Sequence, residues 1–200
     1  MKKALIIGGN GTIGSAVSNA LNDSYEIITA GRTHGDVKVD ITSVESITRL
    51  FETVGEVDAV IITAGQAHFG ALKDMTPQDN LISVNSKLLG QVNTVLIGTN
   101  YVKDHGSFTL VTGIMMDDPI LAGASAALAN GGVKAFAKSA ALELPRGIRI
   151  NTVSPNVLEE SWENYKDFFI GFNPVSAKKV ANAFVKSVKG GQTGQSYEVY

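Results

Sequence analysis

A glycine-rich turn placed directly after a short apolar run constrains this chain more than any other feature. The run is Ala4–Ile7, and the turn that follows it reads Gly8-Gly9-Asn10-Gly11-Thr12-Ile13-Gly14. Its glycines fit both G-x-G-x-x-G and G-x-x-G-x-x-G. Glycines allow a tight turn and a close approach of phosphate to the backbone, and a helix start attracts anions. The pattern therefore predicts a strand, a pyrophosphate-binding turn and a helix that begins near Thr12.

Composition limits the class of protein and its partners. The 200 residues are 44% hydrophobic and 18% charged, which predicts one globular domain with a substantial core. A formal net charge of −2 indicates neither a nucleic acid nor an anionic membrane as partner. The absence of cysteine excludes disulfides, thiolate metal sites and cysteine nucleophiles, and no metal site is assigned. No apolar run is long enough for a membrane span and no signal peptide is evident, so we expect a cytoplasmic protein.

Short apolar strands alternate with helices along the whole chain. The predicted strands are Ala4–Ile7, Glu26–Ala30, Val37–Val39, Ala59–Thr63, Phe108–Val111, Ile148–Val153 and Tyr197–Val199. The predicted helices run from near Thr12 to Leu21, from the cap Ser43 to Val54, through a long region after Pro77, from Leu121 to Leu144 and from Ala177 to Val188. This alternation predicts an α/β fold in which residues 1–200 form a single doubly wound (Rossmann) parallel sheet of about seven strands.

One connection is too short for a helix. Only residues 31–36 separate the second predicted strand from the third, whereas a helical crossover between parallel strands needs a dozen residues or more. We therefore expect a bare loop between these two strands. The loop would leave one face of the sheet thin, or covered by a partner chain.

The end of the second strand bears on nucleotide selectivity. The segment reads Thr29-Ala30-Gly31-Arg32 and lacks the acidic residue that holds the ribose 2′-hydroxyl in NAD sites. Arg32 is suited to bind a 2′-phosphate, with Thr33 or His34 as an additional donor. The sequence thus favours NADP(H) over NAD(H), with a solvated loop arginine as the alternative.

Several segments together resemble the short-chain dehydrogenase/reductase family over nearly the whole chain. They are Gly8–Gly14, Asp40-Ile41, Thr63-Ala64-Gly65, Ser83-Val84-Asn85, Ala141–Leu144, Ile148–Asn151 and Val153–Pro155. The resemblance implies a nicotinamide cofactor and a homodimer or homotetramer that assembles through the Leu121–Leu144 helix and the helix bearing Asn85. The cofactor-binding positions that we assign are Gly8, Asn10, Gly11, Thr12, Ile13, Gly14, Arg32, Thr33, Asp40, Ile41, Ala64, Gly65, Pro155 and Leu158.

The proton relay of the family does not carry over. Family members use a Ser, a Tyr thirteen residues later and a Lys four residues beyond the Tyr. Counting back from Ala141–Leu144 places these positions on Gly113, Ala126 and Asn130, so that only the active-site Asn, Asn85, remains. The resemblance therefore implies a member of the family that lacks the Ser, Tyr and Lys, and it puts the usual proton transfer in doubt.

Two further side chains, those of Thr112 and His68, are candidates for catalytic roles beside Asn85. Thr112 adjoins Gly113 and would hold a substrate oxygen; the alternative is a strand-end threonine bonded to backbone. His68 follows the fourth strand, at the edge where ligands bind in open α/β sheets, and would transfer a proton; the alternative is a partly exposed loop histidine. Lys87 lies two residues beyond Asn85, is expected to point away from it on a helix and is assigned no role. Lys134 is interpreted as a surface lysine.

Two functions remain open. One is an NADP(H)-dependent oxidoreductase that acts on a small carbonyl, alcohol or enone by a non-standard proton relay. The other is a non-catalytic NADP(H)-binding redox sensor or regulatory protein. The missing relay favours the sensor. Asn85 and an aromatic group that would form a lid or pack on the core, namely Trp162, Tyr165, Phe168, Phe169 and Phe172, favour the enzyme, and the enzyme is preferred.

Overall fold

Seven parallel strands form the sheet of the computed structural model, which describes residues 1–200. The strands are β1 (Lys2–Ile7), β2 (Tyr25–Gly31), β3 (Val37–Lys38), β4 (Val57–Ile62), β5 (Val102–Val111), β6 (Arg149–Pro155) and β7 (Ser196–Val199). Their spatial order is β3-β2-β1-β4-β5-β6-β7. The order reverses between β1 and β4, so a crevice opens at their carboxyl ends, where ligands bind in such sheets. The predicted doubly wound fold is confirmed.

Seven α-helices connect the strands. They are α1 (Thr12–Leu21), α2 (Val44–Val54), α3 (Pro77–Ser83), α4 (Gly90–Gly98), α5 (Ala124–Ala140), α6 (Trp162–Tyr165) and α7 (Ala177–Lys189). A π-helical segment, Val84–Leu89, joins α3 to α4 without a break, so the long helical region predicted after Pro77 contains one widened turn. The predicted cap of α2 is present, because Ser43 Oγ accepts a hydrogen bond from Ser46 N at 3.2 Å. None of the helices combines the length and the apolar character that crossing a membrane requires.

The helices bury two separate apolar cores against the sheet. Val17 of α1 and Phe184 of α7 are fully buried on one face with Ile61 of β4. On the other face, Phe51 of α2 and Phe108 of β5 are fully buried in a core that also includes residues of α4 and α5. Because adjacent residues of a strand point to opposite faces, β1 and β4 contribute to both cores, and this explains why they read as continuous apolar runs.

The short connection between β2 and β3 is a loop without a helix, as predicted. Asp36 closes it: its Oδ2 accepts hydrogen bonds from Thr29 N and Thr29 Oγ1 at 2.8 Å each. Gly35 has a φ of +124°, which favours glycine. Because no helix connects β2 to β3, α1 is the helix that contacts β2 on that side of the sheet, and Ile27 is only half-buried.

The largest differences from the predicted bounds lie around β5 and α5. β5 begins at Val102 rather than Phe108, with a register irregularity against β4. α5 begins at Ala124 rather than Leu121 because Ala122 has a φ of +63°, which a right-handed helix does not accommodate. Leu121 therefore lies outside the helix and is exposed.

Candidate functional site

The glycine turn between β1 and α1 is too tightly packed for side chains. A Cβ atom at Gly14 would overlap the Gly8 carbonyl oxygen and lie 2.7 Å from Gly9 Cα. Gly8 itself has a φ of +90°, and a Cβ there would lie 2.7 Å from Thr63 Oγ1. The turn leads into the amino end of α1 at Thr12, whose free N–H groups and dipole favour a phosphate. These features fit the pyrophosphate of a dinucleotide.

Two hollows flank Arg32 at the carboxyl end of β2. One, of about 230 Å³, extends from the glycine turn to Thr33 and His34. The other, of about 160 Å³, lies between Arg32 and the segment that contains Asp40 and Ile41. Arg32 lines both, so its guanidinium stands where an adenosine moiety would pass from the turn to the second hollow.

The carboxylate near Arg32, that of Asp40, accepts hydrogen bonds from another residue. Asp40 Oδ1 accepts hydrogen bonds from Thr42 N at 2.9 Å and Thr42 Oγ1 at 2.8 Å. These bonds, and secondarily the charge of Arg32, lower the pKa of the Asp40 carboxyl. Arg32 has no carboxylate within ion-pair distance. Its guanidinium is therefore free to bind a phosphate.

A larger cavity, of about 280 Å³, opens at the carboxyl ends of β4, β5 and β6. Its walls come from the end of each strand and from Ile13 of α1, so it continues from the glycine turn. Apolar side chains predominate, among them Ile114, Leu158 and Phe169. Of the assigned cofactor positions, Ile13, Gly65, Pro155 and Leu158 line it. Its position fits the nicotinamide end of the dinucleotide together with a small substrate.

The π-helical segment turns Lys87 into this cavity. Lys87 is partly buried, and its Nζ donates a hydrogen bond to the Thr112 carbonyl oxygen at 3.2 Å. Burial of the ammonium lowers the pKa of Lys87 to about 8. The loop after β4 approaches its backbone closely: Gly65 has a φ of +141°, and a Cβ there would lie 3.0 Å from Lys87 Cα.

The orientation of Lys87 corrects the interpretation drawn from its spacing. Asn85 and Lys87 do point in opposite directions, but Asn85 is exposed to solvent and Lys87 lines the cavity. Gln91 fixes this orientation from within the fold. Its side chain is fully buried, donates to the Val111 carbonyl at 2.9 Å and accepts from Val111 N at 3.0 Å. It also donates to the Lys87 carbonyl at 3.0 Å, which ties the wide turn to the end of β5.

The candidate for holding a substrate oxygen, Thr112, lines the cavity, and the candidate proton donor, His68, does not. Thr112 is buried, and both its N and its Oγ1 donate to the Val153 carbonyl oxygen, at 2.9 and 3.2 Å. These bonds match the alternative interpretation of Thr112, a strand-end threonine bonded to the backbone. His68 lies outside the residues that line the cavity, although its neighbour Phe69 is one of them. Its backbone N donates to Ser83 Oγ at 2.8 Å. Hydrogen bonds from Thr76 chiefly, and the charge of His68 in small part, lower the pKa of the neighbouring Asp79 carboxyl.

The three positions to which the family's Ser, Tyr and Lys were assigned hold no titratable group. Asn130 is fully buried, and its Nδ2 donates a long hydrogen bond, 3.5 Å, to the Gly113 carbonyl oxygen. Its Oδ1 is buried without a hydrogen-bond partner. Ala126 is also fully buried. Lys134, one turn beyond Asn130, forms an ion pair with Asp117 at 3.0 Å and lies outside the cavity.

The aromatic segment after β6 covers the cavity and also packs into a small core of its own. Phe169 is buried with Ile114 and Val157, and Trp162 and Phe172 pack against this group. Tyr165 lines the cavity and is 43% exposed. Both sequence alternatives therefore apply, because the same segment is packed and forms part of the cavity wall.

Comparisons with known proteins agree with this geometry. A family model described as enoyl-(acyl carrier protein) reductase matches residues 11–190. The crystal structure of the protein lin1944 from Listeria innocua is 60% identical, with a TM-score of 0.99 over 100% of both chains. A small-chain dehydrogenase in complex with NADPH is 25% identical, with a TM-score of 0.89 over 100% of this chain and 97% of that one. Oxidoreductase UcpA of Salmonella typhimurium is 28% identical over 77% of this chain and 68% of its own. This chain belongs to the short-chain dehydrogenase/reductase family.

Proposed function

We propose that this protein is an NADP(H)-dependent oxidoreductase that acts on a small carbonyl, alcohol or enone compound without the family's Ser, Tyr and Lys. The observation that carries the proposal is Arg32, whose guanidinium lines both hollows beside the glycine turn and has no carboxylate partner. A structural relative that was solved in complex with NADPH supports the choice of cofactor.

Four groups of residues bind the four parts of the dinucleotide. Gly8–Gly14 and the start of α1 hold the pyrophosphate, and Arg32 with Thr33 holds the 2′-phosphate. Asp40 and Ile41, with Ala64 and Gly65, form the slot for adenine. When bound, the cofactor supplies or accepts a hydride within the cavity behind Ile13. The apolar walls of that cavity select a small and mainly uncharged substrate.

We also propose that the protein assembles as a homodimer or homotetramer through α4 and α5. Leu89 before α4 and Leu96 within it are 41% and 60% exposed, and Leu128 of α5 is 51% exposed. A groove of about 370 Å³ separates the two helices near Leu96 and Phe136. A second copy would cover this apolar surface by two-fold symmetry.

Calorimetric titration with NADPH and NADH tests the choice of cofactor. We expect NADPH to bind at least tenfold more tightly. Arg32→Ala should weaken NADPH binding by about 1.5–3 kcal/mol, the range for a hydrogen bond to a charged group, and should leave NADH unchanged. Arg49→Ala is the matched control, because Arg49 is an exposed arginine of α2 outside both hollows. Equal affinities for the two cofactors would refute the assignment.

One observation supports the alternative of a redox sensor. Gly113, Ala126 and Asn130 provide no acid or base. It predicts tight NADPH binding without hydride transfer to any carbonyl compound. Mixing the NADPH complex with an excess of aldehyde and following the loss of absorbance at about 340 nm separates the two functions. Oxidation of one equivalent of NADPH supports the enzyme, and a stable signal supports the sensor.

A further inference from the structure

The apolar cavity contains one ammonium group. Among the residues that line it, only Lys87 and Tyr165 bear ionisable side chains. Lys87 Nζ has a single hydrogen-bond acceptor, the Thr112 carbonyl oxygen, and forms no ion pair. Because an ammonium carries three N–H donors, two remain for a ligand. A partly buried cation with unused donors is costly unless a ligand or water satisfies it.

Lys87 lies at the carboxyl ends of β4 and β5, in a cavity that reaches the pyrophosphate-binding turn. Its hydrogen-bond partner Thr112 ends β5, and Gly65, which packs against its backbone, follows β4. The cavity also includes Ile13, which belongs to the pyrophosphate-binding turn. The ammonium therefore lies in the same space as the nicotinamide end of a dinucleotide held by that turn.

We propose that Lys87 is a catalytic residue that binds the carbonyl oxygen of a small apolar aldehyde or ketone and donates a proton to it. This inference rests on the proposed function, because it requires NADPH as the reductant. It assigns to a side chain of the π-helical segment the chemistry that Ala126 and Asn130 are unable to perform. The apolar residues around the ammonium make an uncharged carbonyl compound the fitting substrate class.

The proton transfer balances with one NADPH. The carbonyl carbon accepts a hydride, the π electron pair of the C=O bond moves to oxygen, and oxygen takes a proton from Lys87 Nζ. The C=O group becomes CH–OH, one NADPH is converted to NADP⁺, and the neutral amine regains a proton from water. In the direction of alcohol oxidation, the neutral amine accepts the hydroxyl proton.

The acidity of Lys87 suits this role. Burial brings the pKa of its ammonium to about 8, close to the range in which a general acid works at neutral pH. The ionisable groups on the helices packed against its segment are Asp79, Lys134 and Lys138, with His68 and Asp117 in the adjoining loops and Tyr165 on the cavity wall. Of these, only Tyr165 lines the cavity, so burial rather than a charged neighbour lowers the pKa of Lys87.

Benzoate is a suitable probe, because its carboxylate resembles the oxygen that carries charge during reduction and its ring is apolar. We expect benzoate to bind the NADP⁺ complex and to bind less tightly as the pH rises above about 8. Lys87→Met should weaken benzoate binding at least tenfold and leave NADP⁺ affinity within threefold. Lys73→Met, at an exposed lysine, is the control and should change neither.

The binding results separate this inference from the proposed function. Failure of NADP⁺ to bind would refute the function, and titration of the free protein with benzoate would still test Lys87. Benzoate affinity that is absent from the wild-type complex, or unchanged in Lys87→Met, would overturn the inference while the cofactor site stands.

Lys87→Arg distinguishes proton donation from charge alone, because a guanidinium binds an oxyanion but does not lose a proton near neutral pH. We expect this variant to keep benzoate binding and to lose at least 100-fold in NADPH-dependent reduction of p-nitrobenzaldehyde. Wild-type kcat/KM should fall above pH 8. A variant as fast as wild type, a flat pH profile, or wild-type protein that binds benzoate but does not reduce the aldehyde would overturn the role as proton donor.

Discussion

Replacing Lys87 by Met should stabilise the protein at neutral pH. The ammonium is buried at a cost that appears as the lowering of its pKa from 10.5 to about 8. At 1.36 kcal/mol per pH unit, this shift corresponds to about 3 kcal/mol. Partial exposure of Lys87 makes that figure an upper limit, and the variant loses one hydrogen bond to Thr112, worth about 1 kcal/mol. We therefore expect a net gain of about 1–2 kcal/mol at pH 7.

The gain should depend on pH in a defined direction. Between about pH 8 and pH 10.5 the unfolded chain binds a proton at Lys87 that the folded chain has released. The free energy of unfolding of the wild type therefore rises with pH through this window, relative to Lys87→Met. Below pH 8 Lys87 is charged in both the folded and the unfolded state, and the full cost of burying the ammonium applies. Above 10.5 the ammonium is neutral in both states, and the advantage of the variant disappears.

Urea unfolding of both proteins at pH 7 and at pH 10.5, without cofactor, measures this effect. The difference between the two proteins at each pH removes the contribution of the tyrosines, which titrate alike in both. A variant that is less stable than wild type at pH 7, or a difference that does not change with pH, would refute the account of Lys87 as a desolvated cation. A gain in stability with a loss of function is the pattern expected at a functional site.

Three further predictions concern the rest of the site. Gly14→Val should abolish nucleotide binding in a fluorescence titration and lower the midpoint of thermal unfolding, because its side chain would overlap the Gly8 carbonyl; normal binding would place the pyrophosphate elsewhere. Asp36→Ala should weaken NADPH several-fold in the same titration, because it removes two hydrogen bonds that hold the loop bearing Arg32, and unchanged affinity would show that the loop needs no such support. Leu96→Asp should shift the mass measured by light scattering to that of a monomer, and a wild-type monomer at micromolar concentration would contradict the assembly through α4 and α5.

The sequence predicts the fold well because the informative signals are local. The alternation of apolar strands and amphipathic helices determines a parallel sheet, and the six residues between Ala30 and Val37 rule out a helix by length alone. The glycine spacing is equally direct, since the close contact of Gly14 with Gly8 is what excludes a side chain there.

The cavity was harder to predict because it depends on which face of one helix turns inward. The spacing of Asn85 and Lys87 indicates opposite directions but not which of them faces the sheet. The widened π-turn and its attachment to Val111 through the buried Gln91 decide this, and neither is visible as a periodicity. One signal in the sequence is Lys87 itself. This lysine interrupts the segment Ser83–Leu88, which has apolar residues on the side that faces the core.

A crystal structure of the complex with NADP⁺ and benzoate tests the central claim most directly. We predict that the pyrophosphate lies on the glycine turn, that Arg32 contacts the 2′-phosphate and that the nicotinamide ring enters the cavity. The benzoate carboxylate should then lie within hydrogen-bond distance of Lys87 Nζ and about 3–3.5 Å from nicotinamide C4, the separation of a reactive pair. A nicotinamide ring outside the cavity, or a carboxylate held by other groups with Lys87 turned away, would contradict the account.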